Sequence, residues 1–164
     1  VVVSAGWFAV TAGVGAILVP WWLTGFGSND PPLWSQVFGA VLIVAGTAAA
    51  VHVFTQFVRA DGTPMPGEMT QRLVLTGLNR HVRNPIYLAA VAIFLGEAML
   101  LGRWSLVIYA ALVWIGAAAF VHWYEEPVLL RRFGAEYEDY RRAVPAWRPR
   151  VRGWAPPRRD TPGS

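Results

Sequence analysis

Two short polar runs hold most of the reactive side chains in this sequence: Arg80-His81-Val82-Arg83-Asn84-Pro85-Ile86-Tyr87 and His122-Trp123-Tyr124-Glu125-Glu126. Together they offer guanidiniums that grip carboxylates or phosphates, carboxylates that accept from ammonium groups or sugar hydroxyls, an amide, and phenols. The stretch between them is apolar and nearly twice the roughly 20 residues that one bilayer crossing takes. A chain that crosses and returns brings both runs to the same membrane face. Charged groups gathered there are costly unless they bind something.

A zwitterionic, hydroxyl-bearing ligand suits this set. S-adenosylmethionine has all the matching parts, including a sulfonium drawn to acidic and aromatic groups. A nucleotide, a phospholipid head group or a ligand-free ion-pair network fits the composition equally. His122, Glu125 and Glu126 are spaced to share one helix face if the helix persists that far. His52, His81 and His122 lack metal-ligand spacing, so no metal is expected. No glycine-rich dinucleotide motif follows a strand pattern, and no P-loop is present.

The elements that must position these groups are membrane helices. The 164 residues are 55% hydrophobic and only 15% charged, with mean hydropathy +0.39, which is too apolar for an ordinary soluble domain. Four apolar stretches, 1–23, 34–58, 85–101 and 104–124, are near the length of a span, so the fold expected is an all-α integral membrane protein with four transmembrane helices. The opening stretch has no basic flank and no cleavage site and reads as a span, not a signal sequence. A first residue of Val suggests that the true start lies upstream.

All fourteen basic side chains are arginine, and thirteen lie in the 59–84 loop or after Glu126; Arg103 alone is on the other side. That asymmetry puts the loop, the polar clusters and the C-terminus in the cytoplasm, in a multi-pass protein. Because the arginines flank apolar spans instead of forming a basic domain, nucleic acid is not an expected partner; the lipid bilayer is. With no cysteine, disulfides, thiolate metal sites and a thiol nucleophile are excluded. Pro127 is expected to end or kink the fourth span and to open a new helix. Beyond it, Leu129, Leu130, Phe133, Tyr137 and Tyr140 recur at helical spacing, an amphipathic segment against the inner membrane face. From Pro145 the Pro, Arg and Gly content reads as a mostly disordered basic tail, with 151–164 set apart from a single domain over 1–150. Glu97 lies too deep to join the polar clusters; a structural pair with Arg103 across the outer turn is expected, with a role in substrate entry as the alternative.

The block Gly77-Leu78-Asn79-Arg80-His81-Val82-Arg83-Asn84-Pro85-Ile86-Tyr87-Leu88 resembles the Gly-Pro-Tyr-Arg-x-x-Arg-His-Pro-x-Tyr signature of integral-membrane methyltransferases, among them isoprenylcysteine carboxyl methyltransferase and the phospholipid N-methyltransferases. Glu125-Glu126-Pro127, Phe133-Gly134-Ala135-Glu136-Tyr137-Glu138-Asp139-Tyr140-Arg141 and Val144-Pro145-Ala146-Trp147 are similar to the closing blocks of that family, in the same order. The resemblance implies a cytosol-facing S-adenosylmethionine site roofed by the C-terminal segment, with a lipophilic acceptor entering from the bilayer. It assigns His81, Val82, Arg83, Asn84, Pro85 and Tyr87 to the cofactor from the start of the third span, and Glu125 and Glu126 from the fourth. Tyr137, Tyr140 and Arg141 would close the site, and Arg83, Asn84 and Glu125 would take part in the chemistry.

This sequence departs from the pattern at Asn84, where the family has histidine, and at Leu78-Asn79, where it has Pro-Tyr. Asparagine exchanges no proton near neutral pH. An isoprenylcysteine carboxylate needs no base, whereas a phospholipid amine or small thiol must lose a proton, for which His81, His122 or Glu125 is available. The rival readings are an NADPH-dependent membrane lipid or sterol reductase and a non-catalytic membrane subunit.

Overall fold

The computed structural model describes residues 14–25, 27–59, 73 and 75–155; the other residues, which include most of the first expected span and of the 59–84 loop, lie outside the described residues. Among the described residues the protein is helical throughout, without a strand. A π-helical turn, Val14–Leu18, leads into α1 (Val19–Thr24), followed by α2 (Leu33–Arg59). After a 3₁₀ turn at Gly77–Arg80 come α3 (Pro85–Leu101) and α4 (Trp104–Phe120). A second π turn, Val121–Glu125, joins α4 to α5 (Glu126–Phe133), and α6 (Ala135–Ala143) completes the order.

Two of these helices are long and apolar enough to cross a membrane: α2, and the unbroken run Trp104–Phe133. Both are mostly unburied, and their outward faces carry Phe38, Val44, Trp104, Ile108 and Leu112. In water such a surface would be costly; against lipid it is favourable. The α3 helix is apolar but has 17 residues, and the first stretch contributes only the shorter apolar helix Gly15–Thr24 among the described residues. Of the four expected spans, therefore, two meet the length criterion among the described residues.

α2 and α3 form the most extensive pairing, and small residues allow it. A Cβ on Gly39 would stand 2.6 Å from the Gly96 carbonyl oxygen and 2.8 Å from the Leu100 nitrogen; one on Gly46 would stand 2.8 Å from the Ala89 oxygen. The two backbones touch, as apolar helices do where glycine repeats along the seam. Gly39→Ala is expected to lower stability by about 1–3 kcal/mol, because backbone must move while the gain in helix propensity is only about 1 kcal/mol. Gly116→Ala, where a Cβ would meet nothing within 4 Å among the described residues, should hold or raise the melting temperature. Melting both variants in one detergent checks the contrast.

α3 ends at Gly102, which takes φ +65° and donates to the Ala98 carbonyl; Arg103 then leads directly into α4. Only a residue tolerant of left-handed backbone makes so short an antiparallel turn. The hairpin thus returns Glu125 to the level of Pro85. The expected Glu97–Arg103 pair does not form. Arg103 Nε donates instead to the Gly27 carbonyl at 2.8 Å, and Glu97 keeps one buried carboxylate oxygen without a partner among the described residues. The nearby carbonyl captures the guanidinium first.

Pro127 opens α5 as expected but does not end the preceding helix. The π turn before it lets Glu126 N–H reach back five residues to the Val121 carbonyl, and Pro127 has no N–H to satisfy. The wider turn also breaks the expected alignment of His122 with the two glutamates. His122 is exposed, its ring set edge-on to Trp123, while Glu125 and Glu126 turn inward.

Below the bundle, α5 and α6 fold over a small core of Tyr137, Tyr140 and Val144 packed against Leu129, Leu130, Phe133 and Trp154. Leu129, Leu130, Phe133, Tyr137 and Tyr140 are the residues expected to line an amphipathic face; Val144 and Trp154 join them. Residues 145–155, whose composition suggested disorder, run instead as an ordered strap along residues 80–84. Arg83 N–H donates to the Pro145 carbonyl at 3.0 Å, Arg150 N–H to His81 at 3.0 Å, and Trp154 N–H to Arg80 at 2.9 Å. Backbone pairing of this kind is indifferent to side-chain composition, so a Pro- and Arg-rich sequence does not reveal it.

Candidate functional site

The site is built where α3 begins and the long α4–α5 helix reaches the same level. Pro85 occupies the first turn of α3, where its missing N–H costs nothing. Asn84 precedes it, buried, with its amide donating to the Ala146 carbonyl at 3.2 Å instead of capping the helix. Arg83 is thereby fixed from both sides along the backbone, and its guanidinium points under the bundle.

There Arg83 forms an ion pair with Glu126, and the same nitrogen donates to the Tyr137 hydroxyl at 3.3 Å. Arg141 approaches the other Glu126 oxygen at 3.7 Å. The Arg83 and Glu126 side chains are 12% and 13% exposed, against 41% for Arg141. Glu126 is thus matched by one sheltered cation and loosely by a second. Arg83 Nε is buried with no partner among the described residues.

Glu125 differs. Its one hydrogen-bond partner among the described residues is the Tyr87 hydroxyl, at 3.3 Å, so its charge faces a phenol and no cation. The Tyr87 ring in turn lies 6.4 Å from that of Trp147, and Trp147 stands edge-on to Trp114 at 6.1 Å. Trp147 comes from the strap; the resemblance placed it in a closing block of the family but assigned it no part in this site. The strap's part in positioning Arg83 was likewise missed.

His81, Val82 and Tyr140 fill the seams around this centre. His81 Nδ1 meets the Arg150 carbonyl at 2.9 Å; a carbonyl only accepts, so Nδ1 carries the proton. Val82 is buried, and Tyr140 donates to the Asn79 carbonyl at 2.6 Å. Tyr140 also packs against Trp154, at 5.6 Å between ring centroids. Each of these side chains holds one chain segment against another.

Burial pushes the Tyr137 phenol up, with the Arg83 guanidinium opposing; burial raises Tyr140 much further, reinforced by Tyr137. Both hydroxyls therefore stay protonated: Tyr140 donates to the Asn79 carbonyl, and Tyr137 accepts from Arg83. An acid that resists ionisation in the fold, and not in the unfolded chain, supports stability below its free pKa of about 10 and loses that support as pH rises beyond it. Melting temperature should be level from about pH 7 to 9 and fall above about 10, and Tyr140→Phe should remove part of the fall.

The phospholipid methyltransferase family matches residues 34–136 of the chain. The chain belongs to that family. Protein-S-isoprenylcysteine O-methyltransferase B of Arabidopsis thaliana is 28% identical over 132 residues, which cover 80% of this chain and 61% of that protein. The chain spans about three fifths of that relative's length. The family match takes in α2 through α5, with Arg83, Tyr87, Glu125 and Glu126, and stops one residue short of Tyr137. Arg141 and Trp147 lie beyond the matched residues.

Proposed function

We propose that this protein transfers a methyl group from S-adenosylmethionine to a lipophilic acceptor held in the membrane. The observation that carries the reading is the meeting of Arg83 and Tyr87 from α3 with Glu125 and Glu126 from the α4–α5 helix, under a cover supplied by Tyr137, Arg141 and Trp147.

The residues fit such a donor. Glu125, without a cation beside it, suits a positively charged group, and the Tyr87 and Trp147 rings next to it suit a sulfonium. Arg141, half-exposed and only loosely engaged by Glu126, is free to receive a carboxylate. The bound donor supplies an electrophilic methyl on sulfur. The protein's part is to hold the groups in line and to exclude water. Glu125 is also the site's best proton acceptor for an amine or thiol acceptor, because His122 faces outward and His81 is committed to the strap. Asn84 acts by fixing Arg83 through Ala146 rather than by moving a proton.

The same reading carries the topology. Residues 1–23, 34–58, 85–101 and 104–124 cross the bilayer, and the arginine-rich 59–84 loop and C-terminal region lie on the cytoplasmic side with the site. The acceptor is a phospholipid amine, an isoprenylcysteine carboxylate or a small thiol. Calorimetry of the purified full chain with S-adenosylhomocysteine tests the reading: saturable binding is expected, and a wild-type protein that gives none overturns it.

A further inference from the structure

A cavity opens at the far end of the bundle, roughly 25 Å from Arg83 along the length of α3. It has a volume of about 460 Å³ and lies between the 29–32 turn, the start of α2, the end of α3 and the start of α4. Asp30 and Arg103 line it together with Trp34, Trp104 and Met99.

The two charges share the cavity without pairing. Arg103 is anchored through Nε to the Gly27 carbonyl, which leaves its terminal nitrogens without a carboxylate among the described residues. Asp30 uses its backbone N–H toward Ser28, and its carboxylate has no hydrogen bond or ion pair among the described residues. Trp34 and Trp104 are 63% and 81% exposed. From each indole an apolar row continues along its helix at four-residue spacing: Phe38 beyond Trp34, then Ile108 and Leu112 beyond Trp104, all exposed.

We infer that this cavity binds the head group of a zwitterionic phospholipid, at a site separate from the reacting centre. The guanidinium takes the phosphate. The carboxylate takes the ammonium, which the exposed indole faces also attract. The exposed rows on α2 and α4 lie where acyl chains would follow from such a head group, which favours a lipid over a small soluble zwitterion. An anionic lipid satisfies Arg103 but offers Asp30 no cation. The inference does not depend on the chain being a methyltransferase.

Native mass spectrometry of the detergent-purified full chain, loaded with phosphatidylcholine or with phosphatidylglycerol, tests it. Wild type should retain phosphatidylcholine several-fold better than phosphatidylglycerol. Asp30→Asn, which disturbs no described contact, should level the two, and Trp104→Ala should reduce the preference. Arg103→Gln should weaken retention of both. Equal retention of the two lipids by wild type overturns the inference, as does a preference that survives Asp30→Asn. A preference lost in Glu125→Gln but kept in Asp30→Asn would move the lipid to the other end of the bundle and overturn it equally.

Discussion

Arg83→Ala is expected to destabilise the protein by about 3–5 kcal/mol and to abolish measurable binding of S-adenosylhomocysteine. The stability loss follows from what remains. Glu126 is sheltered, and Arg141, at 3.7 Å and 41% exposed, is too distant and too solvated to neutralise it. Removing one partner of a buried ion pair leaves an uncompensated charge, which is the costly case, whereas removing both with apolar residues of similar size is close to neutral. Arg83→Met combined with Glu126→Leu should therefore recover most of the stability. Binding should stay absent in that double variant, because the guanidinium and carboxylate are gone. Chemical denaturation read beside calorimetry separates the two roles; recovery of binding in the double variant would mean that the pair serves only the fold.

Glu125→Gln should behave in the opposite manner. Glutamine keeps a hydrogen bond to Tyr87 and removes a charge that no described cation balances, so stability should hold or rise slightly. Catalytic efficiency should fall by about 10–100-fold, the equivalent of losing one charge-assisted hydrogen bond of about 1.5–3 kcal/mol. Tyr87→Phe should lose less, since the ring beside Trp147 is retained. Methyl-transfer kinetics on the two variants, with melting temperatures alongside, check the ordering. A Glu125→Gln protein with full efficiency would remove Glu125 from the site.

The hairpin that unites the two polar runs was legible because it depends on length alone: apolar stretches either side of Gly102 fix the return, and with it the level of Glu125. The amphipathic pattern from Leu129 to Tyr140 was legible for the same reason, since helical periodicity directly records which face is covered. What the sequence concealed rests on local hydrogen-bond geometry. The strap at 145–155 pairs through backbone groups, so its Pro, Arg and Gly content pointed toward disorder. The π turn at Val121–Glu125 has no compositional mark beyond Pro127, and it shifted His122 away from the glutamates it was expected to join. Arg103 chose a carbonyl over Glu97 because the 27–30 turn, whose position no pattern reveals, brings that oxygen within reach. Asn84 read as a lost base. In the fold it is a buried amide bonded to Ala146, a role that asparagine fills and that needs no proton exchange.

We propose that Arg83, Tyr87, Glu125 and Glu126 form a methyl-transfer site opening toward lipid. Its most direct measurement is transfer of isotopic label from methyl-labelled S-adenosylmethionine into organic-extractable material, using the purified full chain in vesicles of total membrane lipid. Label is expected in the lipid phase with wild type, and little with Arg83→Ala or Glu125→Gln. Label that appears equally with those variants, or none with a wild-type protein that also fails to bind S-adenosylhomocysteine, would contradict it.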